Sequence, residues 1–133
     1  MNSTVDTFTT EEQNVLEVFN RHLSAFTSGN LDAVLDDFGE DSVVITQEGV
    51  FKGPQQIRNV FQALLAEFGV IDKGDSPGFT FDIVQPCRDT LFITWHAVSK
   101  HHVFPFGTDT FVVRGDTIYR QTFSYPVPVA RNG

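Results

Sequence analysis

The residues of this chain equipped for chemistry are few and far apart in the sequence. Asp109 lies in "TDTFVV", a stretch rich in β-branched and aromatic residues, as strands are. Side chains alternate between the faces of a strand, so Asp109 shares one face with Phe111 and Val113. Thr108, Thr110 and Val112 share the other. A carboxyl group on an otherwise apolar face has three readings: a pocket acid or base, a structural group satisfied by hydrogen bonds, or a solvated group at the sheet edge. If buried, it must be paired or neutral. A dry site raises a carboxylic acid's pKa by up to ~3–5 units, which keeps it protonated near neutral pH. His22 stands among Val18, Phe19, Leu23 and Phe26 on an apolar helix face, as a core histidine or a pocket group. If it meets Asp109 across a cavity, the two form a carboxylate–imidazole pair able to act as a general base.

The other signals carry less. "WHAVSKHH" places Trp95, Ala97, Ser99 and His101 on one face, with Leu91 and Ile93 upstream marking that face as inward. His101 and His102 are adjacent, so on a strand they point apart and cannot share a metal ion. No metal site or cofactor is expected. "RGD" at 114–116 reads as a hairpin turn, with Gly-Asp supplying the geometry. There is no glycine-rich phosphate loop, no Gly-x-Ser-x-Gly and no cysteine–histidine nucleophile pattern. Gln121, Phe123 and Tyr125 share one face of the last strand, and would wall a cavity beside Phe111 or fill an ordinary core.

The elements that must position these groups are legible. Thr9 and Glu12 form a capping box that opens a helix whose apolar stripe runs from Val15 to Phe26. Gly29 ends it, and Asn30 caps a short second helix carrying Leu31, Val34, Leu35 and Phe38. "SVVIT" at 42–46 is a strand, and "VFK" a short one after the turn. Pro54 suits the first turn of a third helix with Ile57, Val60, Phe61, Leu64, Leu65 and Phe68 on its buried side and Gly69 as its C-cap. Residues 70–78 are a loop, the best place for a mobile flap. Three strands follow, at about 79–85, 90–103 and 107–125, the last folded at "RGD", as an antiparallel meander. Helices first and a sheet after is an α+β order.

Composition bounds the function. The 133 residues fit one domain, 1–133, long enough to bury roughly two-thirds of the unfolded surface. With 14 phenylalanines the chain can build an aromatic core or an aromatic-walled pocket. A net charge of −8 makes nucleic acid and anionic membrane poor partners. Cys87 is the only cysteine, so no internal disulfide forms. "MNSTVDTFTTEEQ" lacks the pattern of a signal peptide, and no apolar run approaches ~20 residues. The expected location is the cytoplasm.

"VFNRHLSAFTSGNLDAVLDDFGEDSVVI" followed by "GVFKGPQQIRNVFQALL" resembles the nuclear transport factor 2-like superfamily, in its SnoaL-like and ketosteroid isomerase-like branch. The resemblance covers nearly the whole chain. It implies a conical, cystatin-like α+β fold, in which a curved antiparallel sheet wraps three N-terminal helices around a cavity. It aligns His22 with the oxyanion-hole tyrosine of ketosteroid isomerase and Asp109 with the protonated aspartic acid of the same hole. The general-base position falls on Thr46, which cannot take a proton from carbon at neutral pH. Classical steroid isomerisation is therefore not expected. "RQTFSY" also lacks the acid/base group that polyketide cyclases carry on the last strand, and no second carboxylate completes an epoxide-hydrolase set beside Asp109.

The resulting expectation is a small-molecule-binding domain for a small hydrophobic ligand bearing a carbonyl or hydroxyl. Asp109 and His22 would be its proton-transfer groups, of isomerase, cyclase or dehydratase type if the protein is catalytic. Thr46, Val60, Phe61, Trp95, Phe111, Gln121, Phe123 and Tyr125 would line the pocket. The alternative is a non-catalytic binding or pairing module with a filled cone. A homodimer through the outer sheet face, at His96 and Val98, is expected with either.

Overall fold

The computed structural model describes residues 7–132. Residues 1–6, where the reading against a signal peptide begins, and residue 133 lie outside the described residues. Helix α1 spans Thr10–Thr27. The Thr9 side chain accepts from the Glu12 amide, and the Glu12 carboxylate accepts from the Thr9 amide, so both halves of the capping box form. The second Glu12 oxygen accepts from the Arg88 amide, 2.9 Å away, in the turn of a distant hairpin. Asn30 caps α2, Leu31–Leu35, through the Ala33 amide.

Strand β1 spans Phe38–Thr46 and turns into β2, Gly49–Lys52. Phe38 thus starts a strand instead of ending a helix. It pairs with Ile118, and the strand bulges before Val43 resumes the ladder. Helix α3, Gly53–Phe68, carries its proline in the first turn and buries Ile57, Phe61 and Phe68. The segment expected as a flap is tied down. A 3₁₀ turn at Ile71–Lys73 fills it, the Asp75 carboxylate accepts from the Val70 amide at 2.7 Å, and the buried Ser76 hydroxyl donates to the Phe68 carbonyl.

The remaining strands are β3 Gly78–Cys87, β4 Thr90–Val98, β5 His102–Arg114, β6 Thr117–Ser124 and the short β7 Val129–Ala130. The chain reverses between β4 and β5 at 99–101, earlier than the gap expected between strands at 90–103 and 107–125. Pro105 and Phe106 instead form a bulge opposite His96, where the missing proline N–H interrupts no ladder bond. The sheet runs β2-β1-β6-β5-β4-β3, with β7 on β5. It is curved and open, and every pair is antiparallel except β1 with β6. The α+β expectation holds, with that one parallel pair as a correction. "RGD" is the β5–β6 hairpin, with Gly115 supplying the positive φ.

The helices cover the concave face. Val15, Val18, Phe19, Ile57 and Phe61 meet Leu91, Ile93, Phe111 and Ile118 there, all buried. At about 25 cal/mol per Å² of apolar area, this burial is the main favourable term for the fold. No helix among the described residues is long and apolar enough to cross a membrane.

Candidate functional site

Asp109 does point inward with Phe111 and Val113, at 8% exposure. Its neighbours follow from strand register. Trp95 pairs with Gly107, two residues before Asp109, and Gln121 pairs with Phe111, two residues after. Both are therefore diagonal neighbours on the inner face, within reach of long side chains. The Trp95 indole Nε1–H donates to Asp109 Oδ1 at 2.7 Å, and Gln121 Nε2 donates to Oδ2 at 2.9 Å. Gly107 makes this possible: a Cβ there would lie 2.2 Å from Trp95 Cζ2. Burial pushes the Asp109 carboxyl up to about 6, against the pull of the Gln121 and Trp95 donors and the nearby His22. A carboxyl in that range exchanges protons near neutral pH.

His22 is also buried and on the cavity wall, but its partner is different. Its Nδ1 lies 3.1 Å from Asp37 Oδ2, and no hydrogen bond joins it to Asp109. Asp37 sits between α2 and β1, 1% exposed, and its other oxygen accepts from Arg21 Nε at 2.7 Å. An Nδ1–H donated to Asp37 leaves Nε2 turned away from Asp37. Phe38, Phe61 and Phe111 flank the ring edge-on at 5.4–5.8 Å. No Asp109–His22 pair forms: His22 pairs with Asp37, and Asp109 lines the same cavity as a separate carboxyl. Asp37 was missed because it falls between helix and strand, where neither period assigns it a face. The adjacent "DD" at 36–37 was the only signal.

These groups wall one cavity of about 80 Å³ between the helices and the sheet. Phe61, Trp95, Phe111, Gln121, Phe123 and Tyr125 line it, as do His22 and Asp109. Thr46 and Val60 do not. The Thr46 hydroxyl accepts from the Glu48 amide in the β1–β2 turn, and Val60 packs against the core instead. Phe79, Phe81 and Phe104 add rings that the sequence reading did not assign to the wall. Gln121 Oε1 is the one buried side-chain oxygen or nitrogen among the described residues with no partner. Toward the β4–β5 turn, Glu67 accepts from the Ser99 hydroxyl and lies 2.8 Å from His102 Nδ1. His102 is therefore engaged there and does not converge with His101.

No family model matches the chain, and no curated protein does. Solved structures do. An NTF-2 like protein of unknown function from Burkholderia xenovorans superposes with a TM-score of 0.69 at 16% identity, covering 94% of this chain and 92% of that one. A ketosteroid isomerase-like protein from Erwinia carotovora gives 0.62 at 17%, with 91% and 100% covered. An epoxide hydrolase of M. tuberculosis, described as LEH-like, gives 0.64 at 14%, with 88% and 86% covered. The fold is therefore nuclear transport factor 2-like. At these identities the likeness carries no activity across.

Proposed function

We propose that this chain, on its nuclear transport factor 2-like scaffold, binds a small, mostly apolar molecule in the cavity, with Asp109 as the polar contact. One observation carries the reading: a buried carboxyl with a raised pKa lines an aromatic-walled space and is held there by neutral donors. Perturbed carboxyl groups in clefts favour functional sites. If the protein is catalytic, Asp109 moves the proton and the Asp37-positioned His22 is its nearest basic neighbour.

Trp95 is the only tryptophan and lies in the wall, so its fluorescence reports occupancy directly. A panel of small cyclic compounds titrated into wild type, Asp109→Asn and His22→Phe tests the reading. Saturable quenching in wild type, altered in Asp109→Asn, is expected. Identical curves in all three proteins, or none at all, sink it.

A second reading, pairing of two copies through the outer sheet face, rests on a separate observation. Val50, Ile45, Thr122, Thr110 and Phe92 lie side by side across five strands, with no charge among them. His96 stands apart from this row, exposed and 2.9 Å from Asp82. Sedimentation of wild type and Ile45→Lys tests the pairing. A monomeric wild type rules it out.

A further inference from the structure

The unpartnered atom in the wall constrains what the cavity accepts. Gln121 is 3% exposed, and its amide orientation is set by Asp109, because only the Nε2 end can face a carboxylate. That leaves Oε1, an acceptor, buried without a donor. A buried group left unsatisfied costs ~1–3 kcal/mol, so an occupant that donates to it is favoured. Asp109 has the same need. Its two oxygens meet neutral N–H groups from β4 and β6, and among the described residues no Lys or Arg lines the cavity. Of the α1 residues that line it, Phe19, Leu23 and Phe26 are apolar and only His22 titrates, with Asp37 behind its ring, and α3 contributes apolar side chains.

The rest of the wall favours positive charge. Aromatic faces carry negative quadrupole density and attract cations within about 6 Å of the ring centroid. Near Tyr125, burial and then Glu48 and Glu67 push the phenol above its usual range, so the field there is negative. A net charge of −8 adds to this at longer range. A ketone or carboxylate would set acceptor against acceptor at both Gln121 and Asp109.

Resting on the pocket reading above, we propose that the ligand is a small apolar amine, bound as its ammonium ion with N–H donated to Asp109 and Gln121 Oε1. A cavity of about 80 Å³, against ~150 Å³ for one that takes benzene, keeps the occupant small. This departs from the carbonyl- or hydroxyl-bearing ligand expected from the sequence.

The experiment compares cyclopentylamine, cyclopentanol, cyclopentanone and cyclopentane, matched in ring, by Trp95 fluorescence and calorimetry at pH 7.5. The expected order is amine, then alcohol, then ketone, with about tenfold between the first two. In wild type the amine preference should shrink toward pH 5, as Asp109 gains its proton, which needs no variant to fold. Asp109→Asn should lose that preference, and Gln121→Met should weaken amine and alcohol alone. A ketone or hydrocarbon binding as tightly as the amine overturns this proposal while leaving the pocket reading intact. So does an amine preference unchanged in Asp109→Asn. If none of the four binds, the pocket reading and this proposal fall together.

Discussion

Asp37 and Asp109 are both buried aspartates, one bonded to His22 and the other on the same cavity wall, and the chain solves their burial in opposite ways. Asp37 places each oxygen against a basic group, Arg21 Nε and His22 Nδ1. Asp109 places each oxygen against a neutral N–H, from Trp95 and Gln121. Charge pairing uses up the first carboxylate and makes it part of the frame. Burial pushes the second carboxyl up to about 6, because neutral donors and an unbonded His22 offset it only in part. The contrast separates an aspartate that holds a neighbour in place from one that can answer to what enters the cavity.

The comparison can be broken at three points. Asp37→Ala leaves a buried imidazole and an arginine without their partner, and should cost about 3–5 kcal/mol in urea unfolding. A cost under ~1 kcal/mol would mean that Asp37 is not framework. Asp109 should show up in the pH dependence instead. Its folded pKa lies above the ordinary value of 3.8, so the native state holds the proton more tightly than the unfolded chain. The contribution is then fully present below about pH 4 and lost as pH rises through about 6. By ~1.4 kcal/mol per unit, wild type should lose about 3 kcal/mol across that window relative to Asp109→Asn. Parallel pH profiles for the two proteins would refute the assignment. Gly107→Ala is the mildest change. It drives a methyl into the Trp95 ring, for ~1–3 kcal/mol of overpacking and a shifted Trp95 emission. An unshifted spectrum would show that the indole does not depend on that glycine to reach Asp109.

Much of the frame was legible because local rules suffice for it. Thr9, Asn30, Pro54 and Gly69 mark helix ends by their own chemistry, and alternation put Asp109 on the inner face. What escaped depends on distance in the chain. Asp37 gains its meaning from Arg21 and His22, 16 and 15 residues earlier, and from a cavity wall that no period describes. Pro105 reads as a strand breaker, yet the strand continues through it because a bulge absorbs the missing donor. Thr46 was drawn into the site by alignment alone, and its hydroxyl turns out to belong to a turn. The size of the cavity depends on how the rings interlock, as where Phe19 meets Phe111 and Phe79 meets Trp95, and side-chain periodicity holds no information on that.

Glu12 closes a circuit across the molecule. One of its oxygens begins α1, and the other holds the amide of Arg88, the only described non-glycine residue with a positive φ, 76 residues along. That bond, the largest cause, draws the Glu12 carboxyl below its usual range, so the link persists into mild acid. Fraying of the first helical turn would therefore free the Arg88 amide at the β3–β4 turn. In amide hydrogen exchange the Arg88 amide should open with the first turn of α1, although 76 residues separate Glu12 from Arg88.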